Sequence, residues 1–386
     1  MADERNAATA QGEIRPGETL GRRALNRATL ARQMLLSRRE MPAMDAIEHL
    51  VGLQAQAPNP PYVGLWTRLE SFHPDELSRL ILDRRAVRIA LMRNTVHLVS
   101  AHDCMALRPL VQPVLDRGLY STRVNRAGIE GVDIEALVAA GRELLEERPR
   151  TAKELGMLLQ ERWPESDSAT LARAIRHLLP LVQVPPRGVW GKSGPSTHTT
   201  AESWLGQSLD LDPSLGAMIL RYLGAFGPAS VKDVQTWSGL TRLGEVMDRL
   251  RPRLVTFRGE HGKELFDLPE APRPAPDTPA PPRFLPEFDN LILSHADRTR
   301  VIAYDYRKLL ASKNGMVPAT VLVDGFVRGT WKIGRTRRKT TLQIEPFESL
   351  VQKDLDALAE EGELLLRFIA EPEGDGTFEV RFVERL

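Results

Sequence analysis

Two glutamines separated by one alanine are the residues of this 386-residue chain best suited to hold a small reactant. Gln54-Ala55-Gln56 lies where a helical pattern runs into Pro58-Asn59-Pro60-Pro61. Because proline cannot continue a helix and biases the preceding residue away from helical backbone, we expect irregular backbone that lets both side chains point at one spot. A carboxamide offers an acceptor oxygen and a donor nitrogen but takes up no proton near neutral pH. The pair could therefore hold a water molecule without acting as a strong base. A purely structural role is the alternative, since glutamines are common at helix ends.

Other reactive groups form weaker patterns. Cys104 is the single cysteine, which excludes a disulfide framework and a multi-thiolate metal site, and it is expected to be a packing residue. His97 alternates with apolar neighbours on a predicted strand, so a structural role is favoured, although its place beside the glutamine pair makes it a candidate DNA contact. The sequence contains neither a phosphate-binding glycine loop followed by lysine nor a Rossmann fingerprint. We expect no metal and no cofactor.

Composition sets broad limits on location and partners. The 52 basic residues nearly balance the 51 acidic ones, so any nucleic-acid surface must come from local clustering of charge. No apolar run approaches the length of a membrane span, and the N-terminus lacks the apolar core of a signal peptide. We expect a cytoplasmic protein with two to four domains and no membrane contact.

Three successive segments have the same order of elements, helices followed by a strand–turn–strand ribbon. This order is typical of the winged form of the helix-turn-helix. Similar phrases at 149–155 and 228–234 support an internal repeat, and Thr151 with Glu154 predicts a capping box at the start of a helix. The ribbons are expected at residues 87–91 with 96–99, 181–184 with 188–191, and 254–257 with 264–268.

After the third segment the composition changes. Residues 269–286 are crowded with proline, as in a semi-rigid linker. Strands are expected beyond it at 291–294, 319–323, 326–332, 340–344 and 377–383, with a helix at 347–361 and a hairpin turn at Asp324-Gly325. The predicted fold class is α+β, with three tandem winged helices and a β-rich C-terminal domain. The predicted units are a flexible extension (1–18), winged helices at 19–125, 126–210 and 211–268, a linker (269–284) and the C-terminal domain (285–386).

A basic tract in the predicted C-terminal hairpin is a candidate DNA surface. Residues 328–344 contain no acid, and the indole of Trp331 offers a stacking surface beside cations that can neutralise phosphates. The cations of the tract are Arg328, Lys332, Arg335, Arg337, Arg338 and Lys339. A second, weaker cluster near the first ribbon contains Arg84, Arg85, Arg88 and Arg93, followed by Asn94. An ordinary solvated surface is the alternative for both clusters.

Five stretches together resemble the AlkZ-like and YcaQ-like bacterial DNA glycosylases. They are residues 52–58 (GLQAQAP), 62–66 (YVGLW), 91–99 (LMRNTVHLV), 285–291 (LPEFDNL) and 323–331 (VDGFVRGTW). The resemblance covers nearly everything after residue 18. It implies a C-shaped arrangement of three tandem winged helices with a β-rich C-terminal part.

The same resemblance implies a catalytic pair. The family's signature is Gln–apolar–Gln in the AlkZ branch and Gln–apolar–Asp in the YcaQ branch, so Gln54 and Gln56 place this chain with AlkZ. That branch resembles self-resistance enzymes that remove bulky guanine adducts and unhook crosslinks made by natural products such as azinomycin. The implied partner is double-stranded DNA carrying alkylated guanine. The expected DNA contacts are Arg93, Asn94, His97, Trp331, Lys332, Arg335, Arg337 and Arg338.

Two neutral amides suffice only for an activated substrate. Guanine alkylated at N7 is cationic and leaves as a neutral base, so the enzyme needs to position a water and tolerate positive charge on the sugar. The sequence therefore predicts a monofunctional DNA glycosylase for N7-alkylguanine lesions, acting as a monomer without an obligate protein partner. The main alternative is a non-catalytic winged-helix DNA-binding protein, such as a regulator or a factor that sequesters adducts, and a protein–protein scaffold is a weaker third option.

Overall fold

A computed structural model describes residues 16–121, 123–310, 315–336, 339–369 and 377–384. Most of the predicted N-terminal extension, together with Arg337 and Arg338, lies outside these described residues. Helices and strands alternate along the chain in an α+β fold. No helix among the described residues is both long and apolar enough to cross a membrane.

The helices and strands of the described residues have the following bounds. The helices are α1 (Arg22–Arg32), α2 (Ala43–His49), α3 (Pro60–Trp66), α4 (Pro74–Leu82), α5 (Ala101–Leu110), α6 (Gln112–Leu119), α7 (Arg123–Gly128), α8 (Ile134–Glu147), α9 (Ala152–Arg162), α10 (Ser168–Leu178), α11 (Ala201–Leu205), α12 (Leu215–Phe226), α13 (Val231–Ser238), α14 (Gly244–Leu250), α15 (Asn290–Leu293) and α16 (Gln352–Ile369). The strands are β1 (Thr19–Leu20), β2 (Leu53–Gln54), β3 (Ala86–Ala90), β4 (Val96–Ser100), β5 (Arg150–Thr151), β6 (Leu181–Gln183), β7 (Thr197–Thr200), β8 (Val255–Gly259), β9 (Glu264–Asp267), β10 (Arg283–Leu285), β11 (Thr320–Val323), β12 (Phe326–Arg335), β13 (Lys339–Pro346) and β14 (Thr377–Phe382).

The first two ribbons join in one six-stranded sheet. Its strand order is β2-β4-β3-β6-β7-β5, and β3 links the ribbons by pairing with β4 on one side and β6 on the other. The short strand β2, which contains Gln54, lies at one edge beside β4. The first ribbon therefore has the predicted hairpin form, but it is continuous with the second.

The second ribbon uses a different second strand from the predicted one. Residues 188–191 form turns, and β7 supplies the strand that pairs with β6. Gly188 and Gly191 have φ of 98° and 67°, a backbone conformation that cannot continue a strand. The prediction of a strand at 188–191 was wrong. Valine and tryptophan are typical of strands, but the two glycines that flank them adopt backbone angles that a strand does not allow.

The third ribbon pairs β8 with β9 as expected, and β1 extends it on the other side of β8. The helix expected at 240–251 is shorter, since α14 begins at Gly244. The capping box predicted at Thr151 and Glu154 is confirmed at the start of α9.

The C-terminal strands form a sheet in the order β10-β11-β12-β13-β14. The last residues of the predicted linker form β10, which pairs with β11. The strand expected at 291–294 was wrong: α15 occupies this stretch, because the Asp289 carboxylate accepts the Leu291 N–H at 2.9 Å and caps a helical turn. The helix expected at 347–361 corresponds to α16, which begins at Gln352 and ends at Ile369.

The C-terminal sheet packs on the first helices. Leu53 and Tyr62 belong to the same buried apolar cluster as Phe284, Val321 and Leu366. A buried ion pair crosses the same junction, where the guanidinium of Arg68 donates to both carboxylate oxygens of Asp289 at 2.9 and 2.8 Å. Both side chains of the pair are almost fully buried. Leu285, at the predicted domain boundary, belongs to another buried apolar cluster with Leu30 and Leu35, so the boundary lies within a shared core.

Removing one partner of this ion pair is expected to destabilise the fold strongly. Asp289→Ala leaves the Arg68 charge buried without its carboxylate, and we expect the free energy of unfolding to fall by about 3–5 kcal/mol. Urea denaturation measures this loss. Glu264→Ala, which removes the partner of Arg251 in a solvent-exposed pair, is the control and should cause a much smaller loss. Equal losses in the two variants would contradict the assigned role of the buried pair.

Candidate active site

The backbone of Gln54-Ala55-Gln56 is held by the neighbouring strand. Gln54 pairs with His97 of β4, and the Ala55 N–H donates to the carbonyl oxygen of Val96 at 2.7 Å. The carbonyl oxygen of Ala55 accepts a hydrogen bond of 2.7 Å from Nη2 of Arg88. The strand ends here because prolines follow, and Pro60 begins α3.

A second support comes from the distant residue Asn290. Its Oδ1 accepts the N–H of Gln54 at 3.2 Å, and its Nδ2 donates to the carbonyl oxygen of Gly52 at 2.7 Å. Gly52 has φ of 88°, and a Cβ there would lie 2.6 Å from Cγ1 of Val99. Glycine is therefore required at the turn into the motif, both for its conformation and for the close approach of β4.

Hydrogen bonds to the two side-chain amides define their orientation. Oε1 of Gln54 accepts from Nη2 of Arg93 at 2.6 Å, and Oε1 of Gln56 accepts from the Val96 N–H at 2.7 Å. Since both partners are pure donors, the oxygen end of each amide is assigned by its network. Neither Nε2 donates to any described residue. Each amide therefore presents an unused NH2 group and one remaining lone pair on its oxygen.

The two glutamines differ in exposure. Gln54 is 6% exposed, whereas Gln56 is on the surface. The sequence predicted two amides on irregular backbone, able to point at one spot, and did not distinguish their exposure. The structure instead gives one recessed and one exposed amide, each held by a separate donor.

Arg93 and Asn94 form the turn between β3 and β4. Both have left-handed backbone, with φ of 56° and 59°. Nη1 of Arg93 donates to the carbonyl oxygen of Trp237 at 2.5 Å, and Nδ2 of Asn94 is 3.0 Å from Nε2 of His177. Burial, followed by the nearby charge of Arg298, lowers the pKa of Arg93 to about 10, so the guanidinium is still charged at neutral pH. Both predicted DNA contacts are thus engaged with protein groups.

His97 lies inside the protein. It is 1% exposed, and its Nδ1 lies 2.9 Å from the carbonyl oxygen of Thr95, to which it donates. Burial, followed by the charge of Arg93, lowers the pKa of His97 to about 3. The expectation of a DNA contact from His97 is corrected: the imidazole is neutral and enclosed because its strand face turns inward.

Acids from elsewhere in the chain reduce the charge of the basic tract. Arg328 pairs with Glu348 at 2.5 Å, and Lys339 pairs with Glu379 at 2.9 Å. Lys332 and Arg335 are exposed, and no acid of the described residues forms an ion pair with either. Arg337 and Arg338 lie outside the described residues. The indole N–H of Trp331 donates to the carbonyl oxygen of Leu285 at 2.9 Å, which fixes the ring at the protein surface.

A cavity of about 610 Å³ lies beside the glutamine motif. Its lining includes Ala57, the residue directly after Gln56. Residues 57–60 line it, together with Trp331, Lys332 and Arg335 of β12. The indole of Trp190 and the methyl group of Ala319 also line it. The fold therefore brings the predicted basic tract close to the residues that follow the glutamine motif. Trp331 comes 275 residues after Gln56 in the sequence.

Two supporting residues escaped the sequence analysis. Arg88 was grouped with surface cations, but it is 2% exposed and binds the motif backbone, and burial lowers its pKa to about 10. Asn290 lies in the LPEFDNL stretch, which was singled out for its resemblance alone. Val87 and Ile89, on the other face of β3, are buried as well, so the strand is enclosed on both faces and alternation alone gave no signal for the burial of Arg88. Among the described residues no group of three or more His, Cys, Asp or Glu could hold a metal ion.

Comparisons with known proteins agree with this arrangement. The sequence profile of the family described as DNA glycosylase AlkZ-like matches residues 47–368. The chain belongs to the AlkZ-like DNA glycosylase family. An interstrand DNA cross-link repair glycosylase of Streptomyces sahachiroi is 23% identical over 331 residues, covering 79% of this chain and 85% of the relative. The solved structure of Streptomyces sahachiroi DNA glycosylase AlkZ superposes with a TM-score of 0.76 at 21% identity, covering 95% of this chain and all of the other. Family membership supports a DNA glycosylase role with DNA as the substrate.

The burial of His97 predicts a specific loss of stability in acid. The folded-state pKa of about 3 lies below the usual 6.5, so between these values the unfolded chain binds a proton that the folded chain does not. The contribution of neutral His97 to the free energy of unfolding is therefore fully present above about pH 6.5. It decreases as the pH falls towards 3, by up to about 1.4 kcal/mol per pH unit.

The test compares wild type with His97→Asn, which retains a donor for the Thr95 carbonyl. Urea denaturation at pH 7 and pH 5 gives the free energy of unfolding of each protein. Wild type should lose more stability than the variant between the two pH values. Equal losses would show that His97 is not held neutral by the fold.

Proposed function

We propose that this chain is a monofunctional DNA glycosylase that hydrolyses the N-glycosidic bond of N7-alkylguanine in duplex DNA. The observation that carries the proposal is the pair of neutral amides, each fixed by one hydrogen bond to its oxygen, in a member of the AlkZ-like family. Among the described residues, the groups that bind these amides are a guanidinium and a backbone N–H. The amides have no carboxylate or lysine partner there. This favours water positioning over general-base catalysis or a Schiff-base intermediate.

The chemistry of the leaving group explains why such a site can work. N7-alkylation makes guanine cationic, so cleavage releases a neutral base and needs no acid. The remaining lone pair on each Gln oxygen can accept a hydrogen from the attacking water, and each Nε2 can donate to an acceptor on the substrate. Holding the water at the sugar C1′ in this way supplies orientation, which is worth several kcal/mol of the barrier.

The surrounding fold supports DNA binding. Each of the three helical segments is followed by an antiparallel strand pair, and we infer that these are three winged helices. Lys332 and Arg335 line the same cavity as the residues that follow Gln56, where cations can neutralise the phosphates of bound DNA. One chain supplies all three units, so we expect a monomer to be active without a protein partner.

Release of 7-methylguanine from duplex DNA tests the activity and the site together. Wild type should generate abasic sites, and Gln54→Ala and Gln56→Ala should each reduce the single-turnover rate by about 100-fold because the water loses its orientation. Gln352→Ala, which removes an exposed glutamine at the start of α16, is the matched control and should leave the rate unchanged.

Two results would contradict different parts of the proposal. If wild type binds DNA but releases no base from any alkylated duplex, the alternative of a non-catalytic DNA-binding protein is correct. If both alanine variants release base as fast as wild type, the activity stands and the catalytic pair is misassigned.

We propose further that bulky adducts and interstrand crosslinks are among the substrates. The Streptomyces sahachiroi relative is an interstrand DNA cross-link repair glycosylase. The cavity of about 610 Å³ beside Gln56 falls in the range of sites for drug-sized molecules, about 300–1,000 Å³. Its apolar wall and the indoles of Trp190 and Trp331 suit an aromatic group attached to the guanine.

Filling this cavity should discriminate between large and small lesions. Ala319→Leu places a larger side chain in the wall, and we expect it to slow excision of a guanine carrying a polycyclic aromatic group by about tenfold or more, the cost of overpacking an apolar pocket. Excision of 7-methylguanine should be unchanged. Ala139→Leu, on the exposed face of α8, is the matched control and should affect neither substrate. Equal slowing of both lesions by Ala319→Leu would show that the cavity does not accommodate the adduct.

A further inference from the structure

The turn that contains Arg93 has strained backbone, and this backbone conformation fixes the position from which the Arg93 side chain extends. Arg93 and Asn94 are consecutive non-glycine residues in the left-handed region, and hydrogen bonds from Asn94 N–H to Leu91 O and from Thr95 N–H to Met92 O close the turn. Such conformations persist only where the surroundings over-determine them, and they cluster at functional sites. Here the surroundings include Gly239, where a Cβ would lie 3.2 Å from both N and Cα of Arg93. The arginine is therefore held by its backbone as well as its side chain.

The guanidinium of Arg93 joins two carbonyl groups from different parts of the fold. Nη2 donates to Oε1 of Gln54 at 2.6 Å, and Nη1 donates to the carbonyl oxygen of Trp237, in the last turn of α13, at 2.5 Å. Helix C-termini attract cations because their last carbonyls are unsatisfied and the helix dipole is negative there. The third helical segment thus anchors the arginine, and the arginine anchors Gln54.

The contact determines which end of the Gln54 amide is available to substrate. Gln54 is 6% exposed, its oxygen is bound by Arg93, and its Nε2 makes no hydrogen bond to a described residue. Nε2 is also not among the side-chain atoms that are both buried and unsatisfied. Solvent therefore reaches the NH2 group, and rotation of the amide by 180° would place two donors against a cation.

We propose that Arg93 is a positioning residue for base excision, which binds the oxygen of Gln54 and holds its Nε2 toward the substrate. This inference rests on the proposed catalytic role of Gln54. It assigns Arg93 a function different from the phosphate contact that its charge suggests. It also makes the geometry of the active site depend on α13, since the same guanidinium is bound to the end of that helix.

Arg93→Lys tests the proposal, because lysine keeps the charge but cannot donate to both carbonyls in the planar fork of a guanidinium. We expect the single-turnover rate of 7-methylguanine release at saturating protein to fall by about 100-fold, as for misplacement of a catalytic group. The Kd for the same duplex, measured by fluorescence anisotropy, should change by less than about threefold. Arg117→Lys is the matched control, because Arg117 donates to the neighbouring Gly239 carbonyl at 2.5 Å without touching Gln54. It should retain the wild-type rate.

A double-mutant cycle separates positioning from a general structural effect. If Arg93 acts through Gln54, adding Arg93→Lys to Gln54→Ala should cause little further loss of rate, because the group to be positioned is already absent. A full additional loss in the double variant would overturn the proposal. So would an Arg93→Lys variant with normal rate at saturation but weaker binding and a smaller salt dependence, the result expected of a phosphate contact.

Two further measurements keep the interpretation unambiguous. The melting temperature of Arg93→Lys should remain close to that of Arg117→Lys, and a collapse of the Arg93→Lys melting temperature alone, with rate and binding falling in parallel, would overturn positioning in favour of a structural role. Inactivity of wild type, or full activity of Gln54→Ala, would instead overturn the proposed function on which the inference rests. Loss of activity in Gln54→Ala with a wild-type rate in Arg93→Lys would overturn only the inference.

Discussion

The hydrogen bonds of Asn290 to Gly52 and Gln54 are the constraint on which the candidate site depends. Strand β2 has two residues, too few for its ladder with β4 alone to hold a defined backbone. Asn290 binds a carbonyl and an N–H on the edge of β2 that faces away from β4, in the place of a further strand. The adjacent Asp289 is fixed by its buried pair with Arg68, so the amide of Asn290 has a defined position. The glutamine motif is therefore completed by residues more than two hundred positions later in the chain.

Local signals predicted much of the fold. The first ribbon, the Asp-Gly turn and the capping box at Thr151 depend on residues close in sequence, and the structure contains all three. Errors arose where local composition was ambiguous. A short apolar run such as 291–294 is compatible with a strand or a helix. It forms a helix here because the Asp289 carboxylate caps the first turn. The joining of two ribbons into one sheet depends on pairing between β3 and β6, which no local pattern encodes.

The candidate site could be predicted only at its centre. Residue type and spacing singled out Gln54 and Gln56, but charge alone does not tell a buried arginine from a DNA contact. Arg88 and Arg93 both turn inward, because backbone carbonyls of Ala55 and Trp237 offer them acceptors that a sequence does not display. The basic tract shows the reverse effect: its lack of acids in sequence is offset by Glu348 and Glu379 in space. The sequence could not predict these ion pairs, because the acids that neutralise the tract lie outside it in the sequence.

The charge of Arg93 also bears on which substrates this site can serve. A sugar that loses its base develops positive charge, and a carboxylate beside it would lower that barrier. Here the charged group bound to Gln54 is a cation, the guanidinium of Arg93, which withdraws electron density from the amide oxygen that it binds. Such a site stabilises a developing cation weakly, so the driving force must come from the leaving group. A cationic N7-alkylguanine provides it, whereas an unmodified guanine would leave as an anion. Under the proposed function, discrimination against undamaged DNA follows from the weakness of the proposed catalytic groups and does not require a pocket that recognises the lesion.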